Sequence, residues 1–66
     1  MIDTNKLRGI MAERNKTQAD VANAIGISTR TFATRMKKGV FGSDEIEVMV
    51  DFLDIDQPSS VFFVQK

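Results

Sequence analysis

The sequence predicts an all-α fold: a small bundle of five helices, the fifth being short or giving way to an extended C-terminal tail. Three observations predict it. Four segments carry apolar residues at helical spacing. Each of the four opens near a Ser, Thr or Asp able to cap a helix, and two of them run into a glycine able to end one. Only Val61 to Val64 has the β-branched and aromatic character of a strand, and a lone strand has no partner within one chain.

A first helix is expected from about Asn5 to Arg14, capped by Thr4 or Asp3. Leu7, Ile10 and Met11 make its apolar stripe at i, i+3, i+4, and Gly9 weakens it by about 1 kcal/mol relative to alanine. A second runs from Gln18 to about Ile25. Thr17 caps it, Asp20 places a negative charge in its first turn, and Gly26 ends it. Ser28 opens a third helix that buries Phe32 and Met36 and reaches Lys37 and Lys38, with Gly39 as its stop. Val40 and Phe41 lie in a loop and can tuck under the bundle. Ser43 is expected to cap a fourth helix, with Asp44 and Glu45 complementing its dipole. Ile46, Met49, Val50 and Leu53 form its core face, and Val48 and Phe52 add a second apolar face. Pro58 suits the first position of a short fifth helix.

Composition narrows the function. With 66 residues and an apolar share of 42%, the chain supports one domain, residues 1–66, and one small core. No apolar run is long enough to span a membrane, and Met1 to Asn5 lacks the basic and apolar pattern of a secretory signal. There is no cysteine, which fits an intracellular protein without disulfides, and no histidine. Ser-His and Cys-His catalysis and the commonest zinc ligands are therefore excluded, and an enzyme is disfavoured. No cofactor, metal or small-molecule substrate is implied. Asp44, Glu45, Glu47 and Asp51 read as solvated charge on an exposed helix face.

The net charge is zero, yet the charges segregate. Residues 1–40 hold eight basic and three acidic side chains, a net +5, whereas residues 41–66 hold one basic and six acidic, a net −5. Such asymmetry suits one half meeting a polyanion while the other faces away, although two ordinary solvated surfaces would look the same.

The informative segment is Thr17 to Phe32. It reads helix, glycine turn, helix, with Ala22 where two steeply crossing backbones approach. Gly26 supplies a positive backbone angle, and Val21, Ile25, Ile27 and Phe32 are apolar anchors. These are the physical requirements of a DNA-binding helix-turn-helix. The pattern Thr17-Gln18-x-x-Val21-Ala22-x-x-Ile25-Gly26-Ile27-Ser28-x-x-Thr31-Phe32 resembles the Cro-type, lambda-repressor-like helix-turn-helix family of phage repressors. The resemblance implies a five-helix fold, dimeric DNA binding, and repression of transcription in the cytoplasm of a bacterial host cell. The chain departs from that pattern at Arg35, where the family carries its second apolar anchor. Here the apolar residue is Met36, one place later, and the gap to the next glycine is one residue longer. The departure leaves open which face Arg35 and Lys37 present.

In the motif the N-terminal side chains of the second helix reach base edges in the major groove. By match these are Ser28, Thr29, Arg30 and Thr34. Independently, if Phe32 and Met36 face inward, then Arg30, Thr34 and Lys37 form the outward stripe, with Ala33 beside it. By the resemblance, Gln18 and its neighbour Thr17 belong to the phosphate-facing end of the preceding helix. Lys37 and Lys38 are candidate phosphate ligands, though lysines also end helices to offset the dipole. Arg8, Arg14 and Lys16 could flank the same backbone or be ordinary surface charge.

One recognition helix reads too few bases for an operator, so a homodimer on double-stranded DNA is expected. The surplus apolar residues Val48, Phe52, Val61, Phe62, Phe63 and Val64 are candidates for its contact, unless Phe62 and Phe63 cap the monomer core. The alternative function is a protein-interaction module of the same fold, antitoxin-like or anti-repressor.

Overall fold

Each helix boundary follows from a small number of side chains. The computed structural model describes residues 2–62. It consists of α1 (Thr4–Glu13), α2 (Gln18–Ile25), α3 (Thr29–Lys38), α4 (Ser43–Phe52) and α5 (Pro58–Phe62), with no strand among the described residues. None of these helices is long and apolar enough to cross a membrane. Asp3 caps α1, its carboxylate accepting the Lys6 N–H at 3.1 Å. Thr17 and Asp20 close a reciprocal box on α2: Thr17 Oγ1 accepts from Asp20 N at 3.1 Å, and Asp20 Oδ2 accepts from Thr17 N at 2.9 Å. Ser28 caps α3 through the Thr31 N–H.

The cap of α4 differs from the expectation. Gly42, not Ser43, holds the cap position. The reason is the reach of Glu45: three residues after Gly42, its Oε1 returns to the Gly42 N–H at 2.7 Å. With Ser43 as cap the corresponding position would fall on Ile46, which has no acceptor.

All four longer helices end alike. A residue with positive φ follows the last turn, and the next N–H bonds to the carbonyl five residues back. Gly26 and Gly39 do this as expected, with Ile27 N to Ala22 O at 3.0 Å and Val40 N to Arg35 O at 3.2 Å. Asn15 and Asp54 do the same without glycine, at φ 57° and 51°. Lys16 N then reaches Met11 O at 2.8 Å, and Ile55 N reaches Val50 O at 3.0 Å.

The core is one cluster in which Leu7, Val21, Phe32, Met49, Leu53 and Val61 are almost wholly buried. α2 sits centrally, packed against both α3 and α4, and α5 folds back onto α1. There Asp3 N donates to Val61 O at 2.7 Å. Ile2, at the residue before the α1 cap, is buried together with Leu7, the pairing of a hydrophobic staple. Phe41 is buried with its ring 5.4 Å from that of Phe32, whereas Val40 is 64% exposed.

Two further expectations change. Val61 and Phe62 are buried inside the chain, so neither is surface for a second copy. A chain this short needs them to close its own core. Phe63 and Val64 lie outside the described residues. Glu45 is not solvated charge either: it is only 8% exposed, held by Gly42 and by Arg35.

Candidate nucleic-acid interface

The turn between α2 and α3 is set by Gly26 at φ +90°, ψ 28°. The Gly26 N–H bonds back to Ala22 O, as does that of Ile27, so the last turn of α2 closes and the chain reverses within three residues. Ala22 is buried at this junction, where its small side chain lets the helices approach. Ile27, before the α3 cap, is half-buried, and Phe32 four residues past that cap is fully buried. Phe32 and Met36 therefore anchor α3 on one side.

The opposite side of α3 is open. Arg30, Ala33, Thr34 and Lys37 are all exposed, as are Ser28, Thr29 and Lys38. Among the described residues the side chains of Arg30, Lys37 and Lys38 make no hydrogen bond or ion pair, so three cations on α3 remain uncompensated. The Thr34 hydroxyl donates to Arg30 O at 3.1 Å. Its proton is thus used inside the helix, leaving oxygen lone pairs and a methyl group for any partner. Ser28 Oγ donates to Thr31 Oγ1 at 2.8 Å while accepting the Thr31 N–H, which makes Ser28 first of all a cap.

At the start of α2, Gln18 is half-buried and Thr17 exposed. Asp20 is held below its ordinary carboxylate range, first by the Thr17 backbone N–H and then by the Thr17 hydroxyl, with Lys16 nearby contributing. The first turn of α2 thus already carries one carboxylate.

The other basic residues divide. Arg14 donates from Nε to Leu53 O at 3.0 Å and from Nη2 to Asp54 O at 3.2 Å, completing the C-terminal end of α4. Lys16 places its ammonium 5.1 Å from the centre of the Phe52 ring. Both have structural partners at or just past the C-terminal end of α4, while Arg8 is exposed. Arg35 occupies the flank of α3 and is paired with Glu45 at the start of α4. The sequence pattern marked Arg35 as anomalous but gave no sign of this partner, because the contact joins two helices through a connector.

Val48 and Phe52 are each 37% exposed on α4, and among the described residues they are the expected contact residues that remain on the surface. An open groove between α1 and α5, lined by Lys6, Ile10, Ile55, Gln57, Ser60 and Val61 among others, takes no residue from α2, α3 or α4. Among the described residues no cluster of acidic side chains is arranged to hold a metal ion. Comparison with family models, with curated proteins and with solved structures finds no match to this chain.

Proposed function

We propose that the chain is a sequence-specific double-stranded DNA-binding protein that acts as a transcriptional repressor, with α3 as its recognition helix. The observation that carries this reading is the outward face of α3. Arg30, Thr34 and Lys37 are exposed there without acidic partners among the described residues, behind a helix locked by Phe32 and Met36. A rigid helix about 10–12 Å across fits a major groove about 12 Å wide. Arg30 can donate to both acceptors of a guanine, worth about 1–3 kcal/mol of discrimination. Thr34, with its proton committed to Arg30 O, serves a base amino group or a thymine methyl. Thr29 and Ser28 lie at the entry to the groove, and Ala33 stands beside a thymine methyl or simply fills the helix. Gln18, Thr17, Lys37 and Lys38 serve the phosphates on either side. The role of repressor rests on the resemblance of Thr17 to Phe32 to the Cro-type family.

Specificity for an operator calls for two half-sites about 34–36 Å apart, and so for a homodimer. Val48 and Phe52 are the apolar surface for it. A second reading, a module that binds another protein, draws on that same exposed pair. Selection of bound sites from random duplexes, followed by titration at several salt concentrations, separates the two. The DNA reading expects an enriched half-site and an affinity that falls steeply with salt. A pool that stays random, with no binding at low salt, refutes it. Sedimentation that finds only monomer at high micromolar concentration, both alone and on the selected duplex, refutes the dimer.

A further inference from the structure

Arg35 stands where an apolar side chain would hold the end of α3 more cheaply. A partly buried ion pair adds little net stability, because desolvation offsets its attraction, so stability is a weak account of Arg35 and Glu45. The geometry around the pair suggests another. Glu45 is buried and fixed, with Oε1 on the Gly42 N–H at 2.7 Å and Oε2 on Arg35 Nη1. The Arg35 carbonyl also takes the N–H groups of Gly39 and Val40, at 2.8 and 3.2 Å. The backbone of Arg35 is therefore tied to the connector between α3 and α4, and its side chain to the first turn of α4.

Only one nitrogen of the guanidinium is engaged. The Arg35 side chain is 36% exposed against 10% for Glu45. No fully buried side-chain nitrogen or oxygen among the described residues lacks a partner, so Nε and Nη2 of Arg35, which make no hydrogen bond, are not sealed from solvent. At about 100° per residue, Arg35 lies between the buried pair Phe32 and Met36 and the outward residues Thr34 and Lys38, on the flank of α3. When a helix fills a groove, its outward residues meet base edges and its flanks meet the sugar-phosphate walls.

Resting on the reading of α3 as a recognition helix, we propose that Arg35 is a phosphate ligand of the DNA complex. Glu45 acts through it as a positioning residue, holding the guanidinium with its free edge toward the backbone. A planar fork already fixed on one side presents its remaining donors to a phosphate without losing side-chain freedom on binding. The contact carries no sequence preference; it sets how deep and at what angle α3 sits.

The test uses the full chain and a duplex carrying its selected site, with binding followed by fluorescence anisotropy from about 50 to 200 mM salt. The double variant Arg35→Leu with Glu45→Gln restores an apolar anchor and keeps an acceptor for the Gly42 N–H, and circular dichroism checks its fold. The proposal expects the slope of log affinity against log salt to shrink by about 0.9, one phosphate's share. Over that range the wild type then loses about 3.5-fold more affinity than the double variant. Glu45→Gln alone keeps the Arg35 cation while removing the carboxylate that holds it, so its slope stays at the wild-type value while its affinity for every duplex falls several-fold. A folded double variant with the wild-type slope overturns the role of Arg35 and leaves the recognition helix standing. Tighter binding by Glu45→Gln to all duplexes overturns it as well, since Glu45 would then be withholding Arg35 from DNA. A wild-type chain that binds no duplex removes the recognition-helix reading and this proposal with it.

Discussion

Replacing Gly26 and Gly9 by alanine makes the same chemical change with opposite expected sign. An alanine Cβ at either position would meet nothing within 4 Å, so neighbouring atoms decide neither outcome. The backbone decides both. Gly26 sits at φ +90°, where an L residue pays about 1–2 kcal/mol. Gly9 lies inside α1, where alanine is favoured by about 1 kcal/mol. A domain of this size has a total stability of about 3–10 kcal/mol, so both shifts are readable. At about 4–8 °C per kcal/mol, Gly9→Ala raises the melting temperature by about 4–8 °C and Gly26→Ala lowers it by about 4–16 °C. Urea titrations followed by circular dichroism should order the three proteins the same way. Gly26→Ala at wild-type stability would refute the left-handed turn between α2 and α3. Gly9→Ala below wild type would mean that something packs against that face of α1.

Further outcomes follow from the same geometry. Phe32→Ala empties a fully buried site and costs about 3–5 kcal/mol, a large share of the total stability, whereas Val48→Ser at a half-open position stays within about 0.5 kcal/mol in the monomer; thermal melts compare them. Arg14→Gln removes two bonds to the α4 terminus and costs about 1 kcal/mol of stability, while affinity for DNA, measured well below the melting temperature, stays unchanged. The depressed pKa of Asp20 gives stability that is complete above the ordinary aspartate value and fades as pH falls through the lower folded value. Asp20→Asn should therefore flatten the acid limb of a plot of melting temperature against pH, and an unchanged limb would count against the capping box.

Local chemistry was legible and long-range chemistry was not. Thr17 with Asp20, Ser28 before Phe32, and the stops at Gly26 and Gly39 act within four residues of where they stand, and the structure has each in place. The helix-turn-helix spacing and the open stripe of Arg30, Thr34 and Lys37 follow from those caps and from the burial of Phe32 and Met36. Asn15 and Asp54 adopt the same helix ending with side chains that only tolerate it, so composition gave no signal. Ile2 was readable in principle, as the apolar residue before a cap with Leu7 four places after that cap. Glu45 looked solvated because its neighbours Asp44 and Glu47 are; its burial depends on a guanidinium ten residues away. The burial of Val61 and Phe62 depends on the return of α5 to α1, which no local pattern encodes.

The central claim is that the outward face of α3 reads base sequence. Its most direct test is the base preference of Arg30→Ala, scored over every single-base change in the selected site. The account predicts that one position per half-site loses its preference, by about 1–3 kcal/mol, while the other positions keep theirs. A variant that weakens all duplexes equally would contradict it, and would make Arg30 a backbone ligand instead.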